Sequence, residues 1–243
     1  TIEKVWVLSG RGDPALAEVV EAAERAGAPI SRADRVRLTD LAGSPDHQGA
    51  VVRAGPLPLL PLEAVAGESP AGGGGGDDRP AVSTQTLLVL DGIVDPRNFG
   101  ALCRSALALG SRGIVFPKDR SAGPTPAAAK AAAGALEFLP LARVTNLARA
   151  LESLKEWGWW IIGLAEEGKH SPGEIRFDAP AALVVGGEGS GLRRLVRERC
   201  DHLMRIETNP DFPTLNASVA GAVALYEIQR RRGAGGGGGR EPS

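Results

Sequence analysis

The sequence predicts an α/β protein, a mostly parallel sheet with helices on both faces, preceded by a small α/β unit. Three observations lead there. From residue 87 onward, short apolar β-like runs alternate with helical patterns, as crossover-connected parallel strands require. Ahead of them, the first fifty residues read as a strand-helix-strand unit with a further short helix and strand. Between the two lies Gly67-Glu-Ser-Pro-Ala-Gly-Gly-Gly-Gly-Gly-Asp-Asp-Arg-Pro, a composition that suits a flexible linker.

Taken in order, residues 5–8 form the first β-like run. Asp13-Pro14 opens a helix over 14–26, because proline is tolerated at the first helical position, and Gly27-Ala-Pro ends it. Residues 34–41 suit a second short helix, and His47-Gln-Gly-Ala reads as a turn feeding a strand. In the larger domain, strands are expected over 87–90, 113–116, 159–164, 181–185 and 203–206. Helices are expected over 98–109, 126–134, 147–158, 192–199 and 218–231. Asn98 is well placed to cap the first of these, and Leu102, Ala106 and Leu109 form its core-facing stripe, with Arg104 off that stripe. Val219, Val223 and Tyr226 share one face of the last helix, whose small apolar residues read as core. The chain divides accordingly into an α/β unit over 1–66, a linker over 67–85, the large domain over 86–232 and a disordered tail over 233–243. Such a linker predicts that residues 1–82 can be removed to leave a folded core.

Composition excludes more than it identifies. A formal charge of −1 gives no global reason to expect nucleic acid, so any RNA footprint must be a local patch. Cys103 and Cys200 lack zinc or disulfide spacing and read as buried, reduced thiols in helical segments. His47, His170 and His202 are dispersed without paired-ligand spacing, so no metal is implied. No apolar run approaches the roughly 20 residues that span a bilayer, and no membrane partner is expected. Thr1 opens onto a charged-apolar segment rather than a signal peptide, so the chain reads as cytoplasmic.

Three segments rich in Gly, Asn and Ser carry the chemistry. Asp91-Gly-Ile-Val-Asp-Pro-Arg-Asn-Phe-Gly-Ala-Leu-Cys-Arg-Ser-Ala, Gly186-Gly-Glu-Gly-Ser-Gly-Leu and Leu215-Asn-Ala-Ser-Val-Ala each follow an apolar run, as loops converging on one site would. The glycine-rich turn lacks a following Gly-Lys-Ser/Thr and misses the dinucleotide spacing, which argues against a nucleoside triphosphate or NAD. Together these segments resemble the signature motifs of the SpoU class of RNA ribose 2′-O-methyltransferases. Pro117-Lys-Asp-Arg-Ser-Ala and Pro140-Leu-Ala-Arg-Val-Thr-Asn-Leu-Ala-Arg extend the resemblance over residues 87–231. They are similar to the branch acting on a guanosine ribose of large-subunit ribosomal RNA.

That resemblance implies a knotted sheet in which the C-terminal segment threads a loop as a trefoil. It implies S-adenosylmethionine as cofactor, held at Gly186, Ile206 and Leu215, and a homodimer with the knot and last helix at its interface. Asn98 and Arg104 then approach the reacting ribose, with Glu188 near the reaction centre. Thr214 and Asn216 fall on a Ser-Leu-Asn pattern, the threonine keeping the hydroxyl and adding a methyl. A guanidinium is a poor base, so phosphate anchoring and hydroxyl orientation suit Arg104, which the resemblance implies one subunit contributes to the partner's site. The first unit looks like a ribosomal-protein-like RNA-binding domain, and the family's usual Gly/Pro-containing lead before the first strand is missing. The alternatives are a transfer-RNA ribose methyltransferase of the same fold and a catalytically silent RNA-binding assembly protein.

Overall fold

The computed structural model describes residues 2–10, 13–67, 85–211 and 214–235. Most of the expected linker, and residues 236–243 of the expected tail, lie outside them. The chain divides into two compact units, Thr1–Leu57 and Pro58–Ser243.

The first unit is built on a three-stranded sheet of order β2-β1-β3, from β1 (Ile2–Leu8), β2 (Ile30–Ala33) and β3 (Ala50–Ala54). β1 pairs parallel with β2 and antiparallel with β3. Helix α1 (Pro14–Arg25) is capped by the Asp13 side chain, which accepts from Ala15 N, and α2 (Arg35–Ala42) by Asp34, which accepts from Arg37 N. Period-two alternation buries Val5 and Val7 with Ala23 and Ala28. The other face of β1 carries Trp6, with the Lys4 ammonium 5.2 Å and the Arg53 guanidinium 5.1 Å from its ring centre.

The second unit holds a six-stranded sheet of order β6-β5-β4-β8-β7-β9, parallel in every pairing. Its strands are β4 (Thr86–Asp91), β5 (Gly113–Pro117), β6 (Leu141–Val144), β7 (Trp160–Leu164), β8 (Ala181–Gly186) and β9 (His202–Met204). Its helices are α3 (Leu62–Ala66), α4 (Pro96–Ala108), α5 (Pro126–Ala132), α6 (Leu147–Glu156), α7 (Arg194–Glu198) and α8 (Ala217–Gly235). Every residue of β4 is buried, as a central parallel strand covered on both faces requires. Leu87 and Val89 face one core with Ala182, Val184, Leu151 and Leu154. The alternate positions Leu88 and Leu90 face the side where α4 packs on α5 and α8. Phe99 of α4 meets Phe116 of β5 edge to face at 5.3 Å.

Five expected strands are present with ends shifted by a few residues, and β6 is a sixth that the sequence pattern missed. It is only four residues long and half-buried at its end. β9 stops at Met204, so Ile206 lies in the loop beyond it. α8 continues to Gly235, past the expected start of the tail. Among the described residues, no helix is long and apolar enough to cross a membrane.

The domain boundary is where structure and sequence part. The division falls after Leu57 rather than after residue 66, because residues 60–66 are built into the second unit. Leu60 N donates to Leu141 O at 2.8 Å, extending the sheet edge beside β6. Val65 and Ala66 of α3 are buried in the main core. Arg112 then joins both flanks of the glycine-rich segment, Nε donating to Val65 O at 2.8 Å and Nη1 to Gln85 Oε1 at 2.9 Å. Val65 and Gln85, on the two sides of it, are therefore held at one place in the second unit. Removing residues 1–57 should leave a second unit that melts as cooperatively as it does in the full chain. Removing residues 1–82 strips the buried Val65 and the Arg112 bond to Val65 and should cost about 3 kcal/mol, read as a lower Tm in a thermal melt.

Candidate active site

All three glycine- and asparagine-rich segments meet at the carboxyl end of the sheet. In a parallel α/β sheet, ligands bind outside the carboxyl ends of the strands where the strand order reverses. Here the order reverses between β4 and β8.

The helix after β4 begins earlier than its pattern suggested. Pro96 takes the first helical position and Asp95 is the cap, its carboxylate accepting from Arg97 N at 2.8 Å. Asn98 is therefore in the first turn rather than at the cap, and its side chain is free for longer-range bonds. Its Nδ2 donates to Glu188 Oε1 at 2.8 Å. Asn216 Nδ2 donates to the same Glu188 oxygen at 2.6 Å and to Asn98 Oδ1 at 3.1 Å. Asn216 Oδ1 meanwhile accepts from Ser218 N and Oγ, which caps α8 and fixes the orientation of the amide. Residues from three separate motifs thus form one hydrogen-bonded triad at the solvent-facing rim. Glu188 Oε2 takes no bond from any described residue.

Beside the triad is a cleft of about 280 Å³. Gly186, Ile206 and Leu215, the three positions implied for the cofactor, all line it. Val185, Leu192, Ala217 and Ala220 add apolar wall, while Glu166, Glu167, Thr208 and Arg197 supply polar groups. Arg197 Nη1 pairs with Glu167 Oε1 at 2.8 Å. The glycines are required by close approach: a Cβ on Gly186 would overlap the Gly191 carbonyl, and one on Gly187 would overlap the carbonyl oxygen of Gly92.

A buried carboxylate holds this loop. Asp91, 1% exposed at the end of β4, accepts from Arg193 N at 2.7 Å and from Arg193 Nε. Gly187 N donates to the Asp91 carbonyl at 3.0 Å, and Gly191 N to Gly187 O at 3.0 Å. Both stems of the glycine turn are thereby tied to one residue.

Two expected site residues stand apart. Arg104 is exposed on α4, about 240° around and roughly 9 Å along the helix from Asn98. It neither lines the cleft nor bonds any described residue. Thr214 is exposed and likewise makes no hydrogen bond among the described residues. The sequence reading missed Asp91, Arg193, Thr208 and the Leu164–Glu167 stretch. The signal available for the last was the end of an apolar strand in a parallel sheet, which is where such walls come from.

The dispersed histidines converge in part, with the His170 and His202 rings 5.4 Å apart and edge to face. No group of three or more potential metal ligands occurs among the described residues. Cys103 is buried in α4, whereas Cys200 is half-buried in the turn after α7. Burial pushes each thiol up to about 12, which leaves both unreactive.

Comparison with known proteins agrees with this geometry. The SpoU rRNA Methylase family model matches residues 85–226, and the model described as RNA 2′-O ribose methyltransferase substrate binding matches residues 1–59. The 23S rRNA (guanosine-2′-O-)-methyltransferase RlmB of Ralstonia nicotianae is 41% identical over 233 residues, covering 96% of this chain and 89% of the relative. The corresponding protein of Yersinia pestis is 41% identical over 238 residues, covering 95% and 89%. Among solved structures, the AdoMet complex of the SpoU methyltransferase AviRb from Streptomyces viridochromogenes superposes with a TM-score of 0.74 at 22% identity, covering 96% of this chain and 83% of AviRb. That likeness concerns the fold. The chain belongs to the SpoU rRNA methylase family.

Asp91→Ala should lower stability by about 2–3 kcal/mol, less than the loss of a partner in a fully buried pair because the Arg193 side chain is 40% exposed. Asp91→Asn, which keeps an acceptor for Arg193 N, should recover part of that loss. Urea melts of the two variants beside the unaltered chain test the order.

Proposed function

We propose that this chain transfers a methyl group from S-adenosylmethionine to the ribose 2′-oxygen of a guanosine in large-subunit ribosomal RNA, in the cytoplasm. The observation that carries the reading is the Asn98–Glu188–Asn216 triad at the rim of the glycine-walled cleft. Relatives at about 41% identity over nearly the whole chain bear the name of that activity, which supports the choice of substrate. A separate N-terminal unit matching a substrate-binding family favours ribosomal over transfer RNA.

The cleft suits the cofactor. Apolar side chains from Val185 to Ala220 fit an adenine ring, and bare glycine backbone admits a ligand at close range. Glu166, Glu167 and Thr208 offer acceptors for hydroxyl and ammonium groups, and no phosphate-binding lysine is required. When bound there, S-adenosylmethionine supplies the methyl group on a sulfonium. The chain's own residues align the acceptor. Asn98 and Asn216 both donate to Glu188 Oε1, which leaves Oε2 to accept a hydrogen bond from the ribose hydroxyl, hold it in line and take its proton as the oxygen gains the methyl group. Pre-bonded side chains need no rearrangement when the substrate arrives.

The same proposal includes the trefoil knot and a homodimer. α8 buries Ala224, Leu225 and Ile228, yet exposes Val219, Val223 and Tyr226 on one stripe, 48%, 38% and 53% accessible. This apolar face fits a second copy. Arg104 faces away from its own triad and would anchor a substrate phosphate in the partner's site, where a planar guanidinium suits the phosphate beside the target nucleotide. Thr214 adds a hydroxyl beside Asn216 in the same site.

The deciding experiment incubates the protein with labelled S-adenosylmethionine and unmodified large-subunit ribosomal RNA, then maps ribose methylation. Label at one guanosine is expected, and RNA without label, or label only in transfer RNA, overturns the reading. Arg104→Ala should reduce single-turnover transfer about 100-fold with Tm and cofactor titration unchanged, and Arg104→Lys should recover little of it. Sedimentation should give a dimer at tens of micromolar, and Val219→Asp with Tyr226→Asp a monomer.

A further inference from the structure

A second cavity, of about 150 Å³, lies within the N-terminal unit where β1 and β2 end. Leu8, Asp13, Leu16, Arg35, His47 and Gly49 line it. His47 Nδ1 accepts from Gly49 N at 3.0 Å, so the ring proton resides on Nε2. That Nε2 is shielded from solvent and has no hydrogen-bond partner among the described residues, so its desolvation goes uncompensated. The neighbouring Gln48 has φ of +52°, a left-handed conformation that is unfavourable for a non-glycine residue. Two local costs coincide at one cavity. Arg35 is exposed, and its guanidinium has no partner among the described residues. Asp13 Oδ1 caps α1, which leaves Oδ2 as an acceptor.

We propose that this cavity binds an unpaired guanine base of the RNA substrate, a nucleotide other than the one methylated. The inference rests on RNA being the substrate, as argued above. Leu8 and Leu16 supply apolar contact for the faces of a base. The His47 Nε2–H and the Arg35 guanidinium are donors suited to guanine O6 and N7, and the Asp13 carboxylate is an acceptor suited to N1–H and the N2 amino group. Guanine carries two acceptors beside two donors in that arrangement. Adenine would set its amino group against the donors, and a phosphate would be repelled by Asp13. An orphaned donor and a strained backbone are then site features whose cost the bound base offsets.

The test uses the full chain and fluorescent seven-nucleotide oligouridylates bearing one central guanosine or one central adenosine, read by anisotropy. The unaltered protein should bind the guanosine form about tenfold more tightly. Asp13→Asn keeps the helix cap and so the fold, but presents a donor where the carboxylate accepts, and should abolish the preference. Arg35→Ala, at an exposed position, should weaken it, whereas Asn98→Ala should leave it intact. No preference in the unaltered protein, a preference unchanged by both Asp13→Asn and Arg35→Ala, or one lost in Asn98→Ala overturns the proposal. Methyl transfer measured in parallel separates the two readings. Transfer without guanine preference removes the pocket alone, and guanine preference lost in Asp13→Asn without any transfer removes the methyltransferase reading alone.

Discussion

The buried carboxylate of Asp91 is the constraint from which the rest of the site follows. An unpaired charge at the end of a wholly buried strand would be prohibitive, so the chain must bring a partner to it. Arg193 supplies that partner through a backbone N–H and a guanidinium nitrogen, and Gly187 closes on the Asp91 carbonyl. The glycine turn between them is therefore shaped by its two ends. Glu188 leaves that turn toward Asn98 and Asn216, and its position is a consequence of how Asp91 is satisfied.

The triad in turn ties together the ends of elements that already pack on one another, β4 beside β8 and α4 against α8. Asn98 is on the helix following β4, Glu188 on the turn following β8, and Asn216 caps α8. The bonds are exposed at the rim and individually worth about 1 kcal/mol or somewhat more where the carboxylate is charged. Their value lies in registration. With α8 buried through Ala224, Leu225 and Ile228, the amide of Asn216 is held from below, and only its open side meets a substrate.

Charge follows the same local logic. Although the chain carries almost no net charge, Lys4 and Arg53 flank Trp6 on one face of the first unit, and Arg35 stands at the mouth of its cavity. In the second unit, Arg112 spends its donors on the flanks of the glycine-rich segment instead, a structural use of the same side chain. Counting charges cannot distinguish these roles, because each depends on what lies within hydrogen-bonding reach.

Features written in adjacent residues were legible from the sequence. The apolar runs of β4 and β8, the proline-led start of α1, and the three motifs that mark the family all depend on neighbours in the chain. Asn98, Glu188, Asn216, Gly186, Ile206 and Leu215 were placed by motif, and the structure brings them to one end of the sheet. Only the tertiary structure joined Asp91 to Arg193, residues 102 apart, and His170 to His202. It alone placed α3 in the second core, because nothing in the five apolar-leaning residues Leu62–Ala66 says which sheet they will cover. It alone showed that Val219, Val223 and Tyr226 face outward: helical periodicity groups residues on a face, whereas burial depends on which face the sheet and α4 occupy.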